Sequence, residues 1–278
     1  MDHQAAYLPL MTRLLAIFFI LAVLLTGMTI IFEGFGMTYC VGMLLDAGMI
    51  FASDSRTNAG VDNIARFSKM KVYHQDGDRT IVVMSAGNLS VTQNALSILE
   101  LRERNALVPT LFNAISMFDI ATILGESLRD VRRRDGPAFA AGNIDASASF
   151  IVGGQIQGER PRLFLVYSEG NFIEATGDTP YFQIGEIKYG KPILDRVVKR
   201  HTPLVDAAKC TLVSFDSTMR SNLSVGMPID LLMYETDSYA IKLQKRIEDN
   251  DEYFQMIHNT WGDGLREVFR RLPDPTWV

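Results

Sequence analysis

The chain is poor in the residues and motifs that mark the commoner enzyme and binding classes. It has two cysteines, Cys40 and Cys210, far apart in sequence and in no CxxC pair. They give no disulfide framework, and a chain so built suits a reducing, cytoplasmic compartment. The four histidines, at positions 3, 74, 201 and 258, make no HExxH or other metal-ligand spacing, so no metal and no other cofactor is expected. There is no GxGxxG fingerprint, no P-loop and no GxSxG elbow, which removes the signatures of dinucleotide, nucleoside-triphosphate and α/β-hydrolase sites. Basic residues are not in excess: Lys and Arg number 27 against 32 Asp and Glu, a formal net charge of −5. That leaves no basic footprint, and nucleic acid is not an expected partner. Internal repeats and low-complexity linkers are also lacking.

The remaining composition, 47% hydrophobic and 21% charged, is that of an ordinary globular protein. One segment departs from it. Leu14 to Phe32 carries no charge and follows Arg13, and about 20 apolar residues suffice to cross a bilayer. Residues 1–36 therefore read as a membrane anchor, as a removed leader, or as sequence upstream of a true start at Met37. Composition alone favours the span. The chemistry of the following residues favours the start at Met37.

From residue 38 the patterning alternates strands and helices. Tyr39–Leu45, the turn Asp46-Ala47-Gly48 and the apolar run Met49–Ser53 predict a tight hairpin. Lys69–His74, Asp76-Gly77-Asp78 and Thr80–Ser85 predict another. Val91, Ala95, Ile98 and Leu99 recur at helical spacing, as do Met117, Ile120, Leu124, Leu128 and Val131. The second helix is expected to stop at Asp135-Gly136-Pro137, which would put Arg132–Arg134 in its last turn against the dipole. Ser149–Val152, Leu163–Tyr167 and Phe172–Ala175 read as short strands. Lys191–Arg200 and Pro203–Arg220 read as helices, Ile229–Tyr234 as a strand, and Asp251–Arg271 as holding the last helix. Residues 38–278 thus read as a single layered α+β domain.

Hairpin geometry brings four groups into one argument. If the first hairpin turns about Ala47, residues whose numbers sum to about 94 face each other, so Thr38 lies across from about position 56, and Asp54 is within two residues of that point. The second hairpin, turning about Gly77, sets Lys69 opposite Ser85, two residues before Gly87. With the two hairpins as sheet neighbours, a hydroxyl, a carboxylate, an ammonium and a glycine N–H gather at one end. A threonine hydroxyl is a poor nucleophile unless a base takes its proton. When threonine is the first residue its own α-amine, with an intrinsic pKa of about 7.7–8.0, can be that base. A lysine beside it sets the proton balance, a carboxylate holds the lysine, and a glycine N–H can donate into an oxyanion hole. This is the logic of amide hydrolysis through an acyl-enzyme. Cys40 has no histidine placed to activate it and reads as a buried strand residue; His74 and His201 read as ordinary loop or helix-end residues.

An ordered set of segments resembles proteasome β subunits: Thr38-Tyr39-Cys40-Val41-Gly42, Ala52-Ser53-Asp54-Ser55-Arg56 with Asn58-Ala59-Gly60, Ser68-Lys69-Met70, and Ser85-Ala86-Gly87-Asn88. Ile151-Val152-Gly153-Gly154, Leu163-Phe164-Leu165-Val166-Tyr167 with Gly170, and Ile184-Gly185-Glu186 continue it. The segments IGEIKYGKPILDR from Ile184 and SFDSTMRSNLSVGMPIDL from Ser214 are similar to the bacterial proteasome-related group called Anbu (ancestral β subunit), over residues 37 to about 250. The resemblance implies a four-layer αββα sandwich of the N-terminal nucleophile hydrolase type. It implies Thr38 as nucleophile once Met37 is removed, Asp54 as carboxylate partner, Lys69 as the lysine and Gly87 as oxyanion donor, with Lys71 the alternative to Lys69. Where those β subunits carry serine after Ile-Gly, this chain has Glu186. The family's later aspartate and serine have Asp216, Ser221 and Ser224 as counterparts, so the support behind the nucleophile is expected to differ. The implied activity is that of a threonine-type peptidase. The implied partners are copies of the same chain in a ring or open helical ring, and peptide or unfolded protein as substrate. An ATP-driven unfoldase, an ATPase, is compatible but identified by nothing in the sequence. Two other readings use the same fold: a catalytically idle, membrane-anchored wall subunit, and an amidohydrolase acting on a small amide.

Overall fold

The computed structural model describes residues 38–58, 64–105 and 107–277; the apolar segment Leu14–Phe32 lies outside them. Among the described residues no helix is long and apolar enough to cross a membrane.

The two predicted hairpins form, in the expected registers. β1 (Tyr39–Leu45) pairs with β2 (Gly48–Asp54) across the Asp46-Ala47 turn, with Cys40 opposite Ser53. A small hairpin, β3 (Arg56–Asn58) and β4 (Ile64–Arg66), follows. β5 (Met70–Gln75) pairs with β6 (Arg79–Gly87), Met70 opposite Met84. After α1 (Leu89–Arg102) and α2 (Met117–Ala141) come β7 (Ala148–Ile156), β8 (Arg162–Val166), β9 (Phe172–Glu174) and β10 (Tyr181–Gly185). The chain continues through α3 (Lys191–Val197), α4 (Leu204–Ser221), β11 (Ile229–Glu235), β12 (Ile241–Ile247) and α5 (Glu252–Arg271).

The hairpins are not neighbours in one sheet, which corrects the assumption behind the site arithmetic. β1 and β2 belong to an antiparallel sheet ordered β10-β1-β2-β11-β12, and β5 and β6 to a second one ordered β5-β6-β7-β8-β9. The sheets meet face to face. Successive strand residues point to opposite faces, and both faces of β1 and β2 are buried. Cys40, Leu44, Met49 and Phe51 pack with Val82, Met84, Ile151 and Leu163 of the other sheet. On the opposite face Tyr39, Val41, Met43, Ile50 and Ala52 meet Leu194, Phe215 and Phe254 of α3, α4 and α5. The far face of the second sheet, with Ile81, Val83, Phe150 and Val152, packs against Val91, Leu99, Ile120 and Leu124 of α1 and α2. Each large side chain taken fully out of water contributes about 1.5–3 kcal/mol, and these cores fix which strand ends meet.

α2 runs past its expected stop. Asp135, Gly136 and Pro137 are helical, so Arg132–Arg134 lie within the helix and not at its dipole end. They pair instead with Glu169, Asp130 and Asp135. Continuing the helix brings Phe139 against the α1–α2 core, a gain that opposes the cost of a proline in the helix interior. α1 and α2 carry side-chain caps, Asn88 accepting from the Ser90 and Val91 N–H groups and Ser116 from that of Asp119.

Candidate functional site

Ends of strands from both sheets converge near Thr38. Thr38 precedes β1 and is 4% exposed. Its carbonyl accepts the Glu186 N–H at 2.7 Å, which ties it to the end of β10. Gly185 makes that approach feasible: its φ is +83°, and a Cβ there would stand 1.8 Å from the Thr38 carbonyl oxygen. Strand alternation sets Thr38 on the same face of its sheet as Cys40, the face that packs against the second sheet.

The next residue carries the link to the charged pair. The Tyr39 N–H donates to Asp54 Oδ1 at 2.9 Å, and Lys69 Nζ donates to the same oxygen at 2.7 Å. Lys69 also donates to the Arg56 carbonyl at 2.6 Å. Asp54 is wholly buried and Lys69 nearly so. Asp54 Oδ2 has no partner in hydrogen-bond geometry among the described residues. Burial pushes the Asp54 carboxyl above the ordinary carboxylate range; the Lys69 charge and hydrogen bond and the Tyr39 and Gly226 N–H groups oppose the shift without cancelling it. The Tyr39 phenol is locked in the helix-side core by Ser214 Oγ and Gln183 Nε2, each at 2.5 Å, and its ring lies 4.6 Å from that of Phe215. The backbone at Thr38 is thus held from three directions.

The second sheet reaches the same region through β6. The Ser85 N–H donates to the Lys69 carbonyl at 3.0 Å, so Lys69 does face Ser85, and the Ser85 carbonyl accepts the Cys40 thiol at 3.8 Å. Gly87, two residues on, has φ +104° and sits so close to β7 that a Cβ would meet the Ser147 carbonyl oxygen at 2.4 Å. Only glycine fits there.

The remaining candidates divide. Glu186 is 9% exposed; its carboxylate accepts Asn222 Nδ2 at 2.9 Å and the Lys188 N–H at 3.3 Å. Asn222 Oδ1 accepts the Ser224 hydroxyl at 2.6 Å, so Glu186 and Ser224 join one chain of hydrogen bonds that ends at the Thr38 carbonyl. Asn222 escaped the sequence reading. The available signal was its position two residues before Ser224, the spacing of an Asx turn, and its Oδ1 does accept the Ser224 N–H. Ser221 is exposed at the end of α4. Lys71 pairs with Glu100 of α1 at 2.8 Å, both half exposed, whereas Lys69, just before β5, is the lysine that reaches Asp54. Asp216 pairs with His258 of α5 at 2.6 Å, on the helical side. Cys40 is buried in β1, and burial raises its thiol far above its ordinary value. Among the described residues no cluster of His, Cys, Asp or Glu is built to hold a metal ion.

Chemically, the arrangement presents a threonine beside a buried carboxylate–ammonium pair, with backbone on three sides and glycines where the strands crowd. No family model matches the chain, and no curated protein does. Solved structures do match. The chain is 51% identical to Anbu (ancestral beta-subunit) from Yersinia bercovieri, over 86% of this chain and 100% of that one, with a TM-score of 0.81. It is 50% identical to the chain in the helical assembly of the Anbu complex from Pseudomonas aeruginosa, over 85% of this chain and 98% of that one, TM-score 0.81. An Anbu (Gly-1) mutant from Hyphomicrobium sp. strain MC1 is 51% identical over 86% of this chain and 99% of its own, TM-score 0.80. With half of all positions identical across essentially the whole of each relative, the chain belongs to the Anbu (ancestral β-subunit), proteasome-β-like family.

Proposed function

We propose that this chain is a threonine-type hydrolase of amide bonds, a peptidase of the N-terminal nucleophile class, working from a mature terminus at Thr38. The observation that carries the reading is the buried Lys69–Asp54 pair bound to the N–H of the residue after Thr38. In this scheme the free α-amine of Thr38 takes the hydroxyl proton, and Oγ1 attacks the substrate carbonyl carbon. The Lys69 charge favours the ionised hydroxyl, Asp54 fixes the lysine, and the Gly87 N–H donates to the tetrahedral oxyanion. Collapse forms an ester to Thr38 and expels the amine, which leaves with a proton from the α-ammonium. Water, deprotonated by the same amine, then hydrolyses the ester. Glu186, Asn222 and Ser224 hold the Thr38 backbone from the other side.

Residues 38–278 serve as a single hydrolase domain, a four-layer αββα sandwich, and residues 1–36 are removed or never translated. The working protein is a homo-oligomer, ring-like or open and helical, by analogy with the Pseudomonas aeruginosa assembly. Its substrates are peptides or unfolded protein, its compartment the cytoplasm, and an ATPase is a compatible feeder.

The test joins a mass to an activity. Intact mass and N-terminal sequencing of the protein from its host should give a chain starting at Thr38. That protein should cleave peptide or small amide substrates, and Thr38→Ala should abolish cleavage without altering assembly. A wild-type chain retaining Met37, with hydrolysis unchanged in Thr38→Ala, would sink the proposal in favour of a wall subunit.

A further inference from the structure

The amine that hydrolysis at Thr38 requires belongs to a definite edge of its strand. Along a strand the N–H and C=O of one residue point to one edge, and those of the next residue to the other. The Tyr39 N–H points to Asp54 and reaches it at 2.9 Å. The Thr38 carbonyl points the opposite way and accepts the Glu186 N–H at 2.7 Å. The Thr38 nitrogen therefore lies on the edge that β10 occupies, with Asp54 and Lys69 beyond the other edge. Register agrees. Tyr39 pairs with Gly185, so the next antiparallel pair is Thr38 with Glu186, and residues so opposed are nearest cross-strand neighbours.

Glu186 stands there as a carboxylate without a cation. It is 9% exposed, and its two oxygens accept Asn222 Nδ2 at 2.9 Å and the Lys188 N–H at 3.3 Å. Both donors are neutral, and among the described residues no lysine, arginine or histidine forms an ion pair with it. A carboxylate so far from water is ordinarily paired, and each of its oxygens has a lone pair to spare. The other charged groups of the region have their own places. Lys69 pairs with Asp54, Asp230 faces Arg246 at 3.4 Å, and Asp216 pairs with His258. Arg56 donates to the Leu223 carbonyl, and Lys188 and Arg220 are exposed. Burial keeps the Tyr39 phenol and the Cys40 thiol neutral. One loop, residues 222–226, holds both carboxylates: Asn222 binds Glu186, and the Gly226 N–H favours the ionised form of Asp54. Thr38 thus lies between two carboxylates, of which one already has its cation.

We propose that Glu186 is the counter-ion of the Thr38 α-ammonium in the mature chain, a positioning residue that fixes the amine and favours its charged form. This role rests on the mature terminus at Thr38 proposed above. An opposite charge close to a titrating group favours the charged form of that group. A resting ammonium cannot take the Oγ1 proton, so the carboxylate moves the working base to higher pH. The same carboxylate stabilises the ammonium formed when Oγ1 gives up its proton, and so supports attack once the amine is neutral. The serine that proteasome β subunits carry in this place offers a hydrogen bond without that charge.

Competitive acetylation with acetic anhydride over a pH series, with the N-terminal peptide measured by mass spectrometry, titrates the Thr38 amine without turnover. The samples are the mature protein from its host and its Glu186→Gln, Glu186→Ser and Glu186→Asp variants. At a pH below the wild-type pKa, Glu186→Gln and Glu186→Ser should hold about tenfold more neutral amine than wild type. Glu186→Asp, which keeps the charge, should stay near wild type. The acid limb of kcat/KM against pH should move down in the same two variants. Equal amine titrations in all four chains overturn the counter-ion and leave the peptidase reading standing. The expected shift with no hydrolysis in any chain supports the counter-ion and sinks the peptidase reading. A host protein that retains Met37 overturns both. Should the uncharged variants fail to fold, a crystal structure of the mature wild type decides: the Thr38 nitrogen should lie within about 4 Å of a Glu186 carboxylate oxygen, and a longer separation overturns the pairing.

Discussion

Replacing Lys69 by methionine keeps the length of the side chain and removes its charge, leaving Asp54 buried with only backbone N–H groups, those of Tyr39 and Gly226, favouring its ionised form. Breaking a buried pair by removing one partner costs about 3–5 kcal/mol, a large share of the roughly 5–15 kcal/mol that holds a domain together. The loss should depend on pH in a defined sense. Burial already raises the Asp54 carboxyl, and Lys69 supplies the two strongest opposing effects; without them the folded-state value rises further. An acid whose pKa is higher folded than unfolded binds more protons in the folded state, so stability falls as pH rises from about 4 through the folded value. Lys69→Met should therefore be closest to wild type near pH 5 and weakest near pH 8, at about 1.4 kcal/mol for each unit of difference between folded and unfolded values. Lys69→Met/Asp54→Asn, with no buried charge, should recover much of the loss and flatten the pH profile. Urea unfolding followed by far-UV circular dichroism at both pH values measures all three chains. A Lys69→Met chain within about 0.5 kcal/mol of wild type at pH 8, with no pH slope, would refute the view that this pair is buried and mutually dependent.

Two further outcomes rest on single positions. Gly185→Ala should destabilise the fold by more than Gly158→Ala. Both glycines have φ +83°, but a Cβ at Gly158 meets nothing within 4 Å whereas one at Gly185 strikes the Thr38 carbonyl. Backbone strain alone accounts for about 1–3 kcal/mol, so the excess at Gly185 isolates the contact, and equal melting temperatures would contradict it. Neither cysteine should react with Ellman's reagent at pH 8 in the folded protein, since Cys40 is wholly buried and burial pushes the Cys210 thiol up to about 11. Both should react in guanidinium, and one fast thiol in the native state would show that the strand or helix around it opens.

The parts of the fold legible in sequence are those whose pattern depends on near neighbours. The hairpins at Asp46-Ala47 and Asp76-Gly77-Asp78 come from turn chemistry beside apolar runs, and the helices from spacing such as Ile120, Leu124, Leu128. The misses needed distant information. Asp135-Gly136-Pro137 reads locally as a stop, and only the place waiting for Phe139 on a core built from other elements keeps α2 going. β10 is five residues long and reads as loop until β1 is there to pair with it. β12 is exposed along most of its length, so it lacks the apolar face that announces a strand.

The site shows how a correct pairing can sit in a wrong layer. Summing residue numbers about a turn fixes partners within a hairpin, and it set Lys69 opposite Ser85 and Thr38 near Asp54, as found. It cannot say whether two hairpins lie side by side or one above the other. The sequence held a clue to that choice. Tyr39–Leu45 and Gly48–Phe51 are apolar or glycine at every position, where an antiparallel strand with one wet face would alternate. Strands apolar on both faces are covered on both faces, by helices on one side and by another sheet on the other. Stacking then brings Lys69 to Asp54 from a different sheet. The pair forms only when both sheets have closed on the shared core of Cys40, Phe51, Val82 and Met84. That makes the charged pair a consequence of complete packing, and it follows that a cavity in the shared core, as in Phe51→Ala, should loosen Lys69 and Asp54, although neither is one of that core's apolar residues.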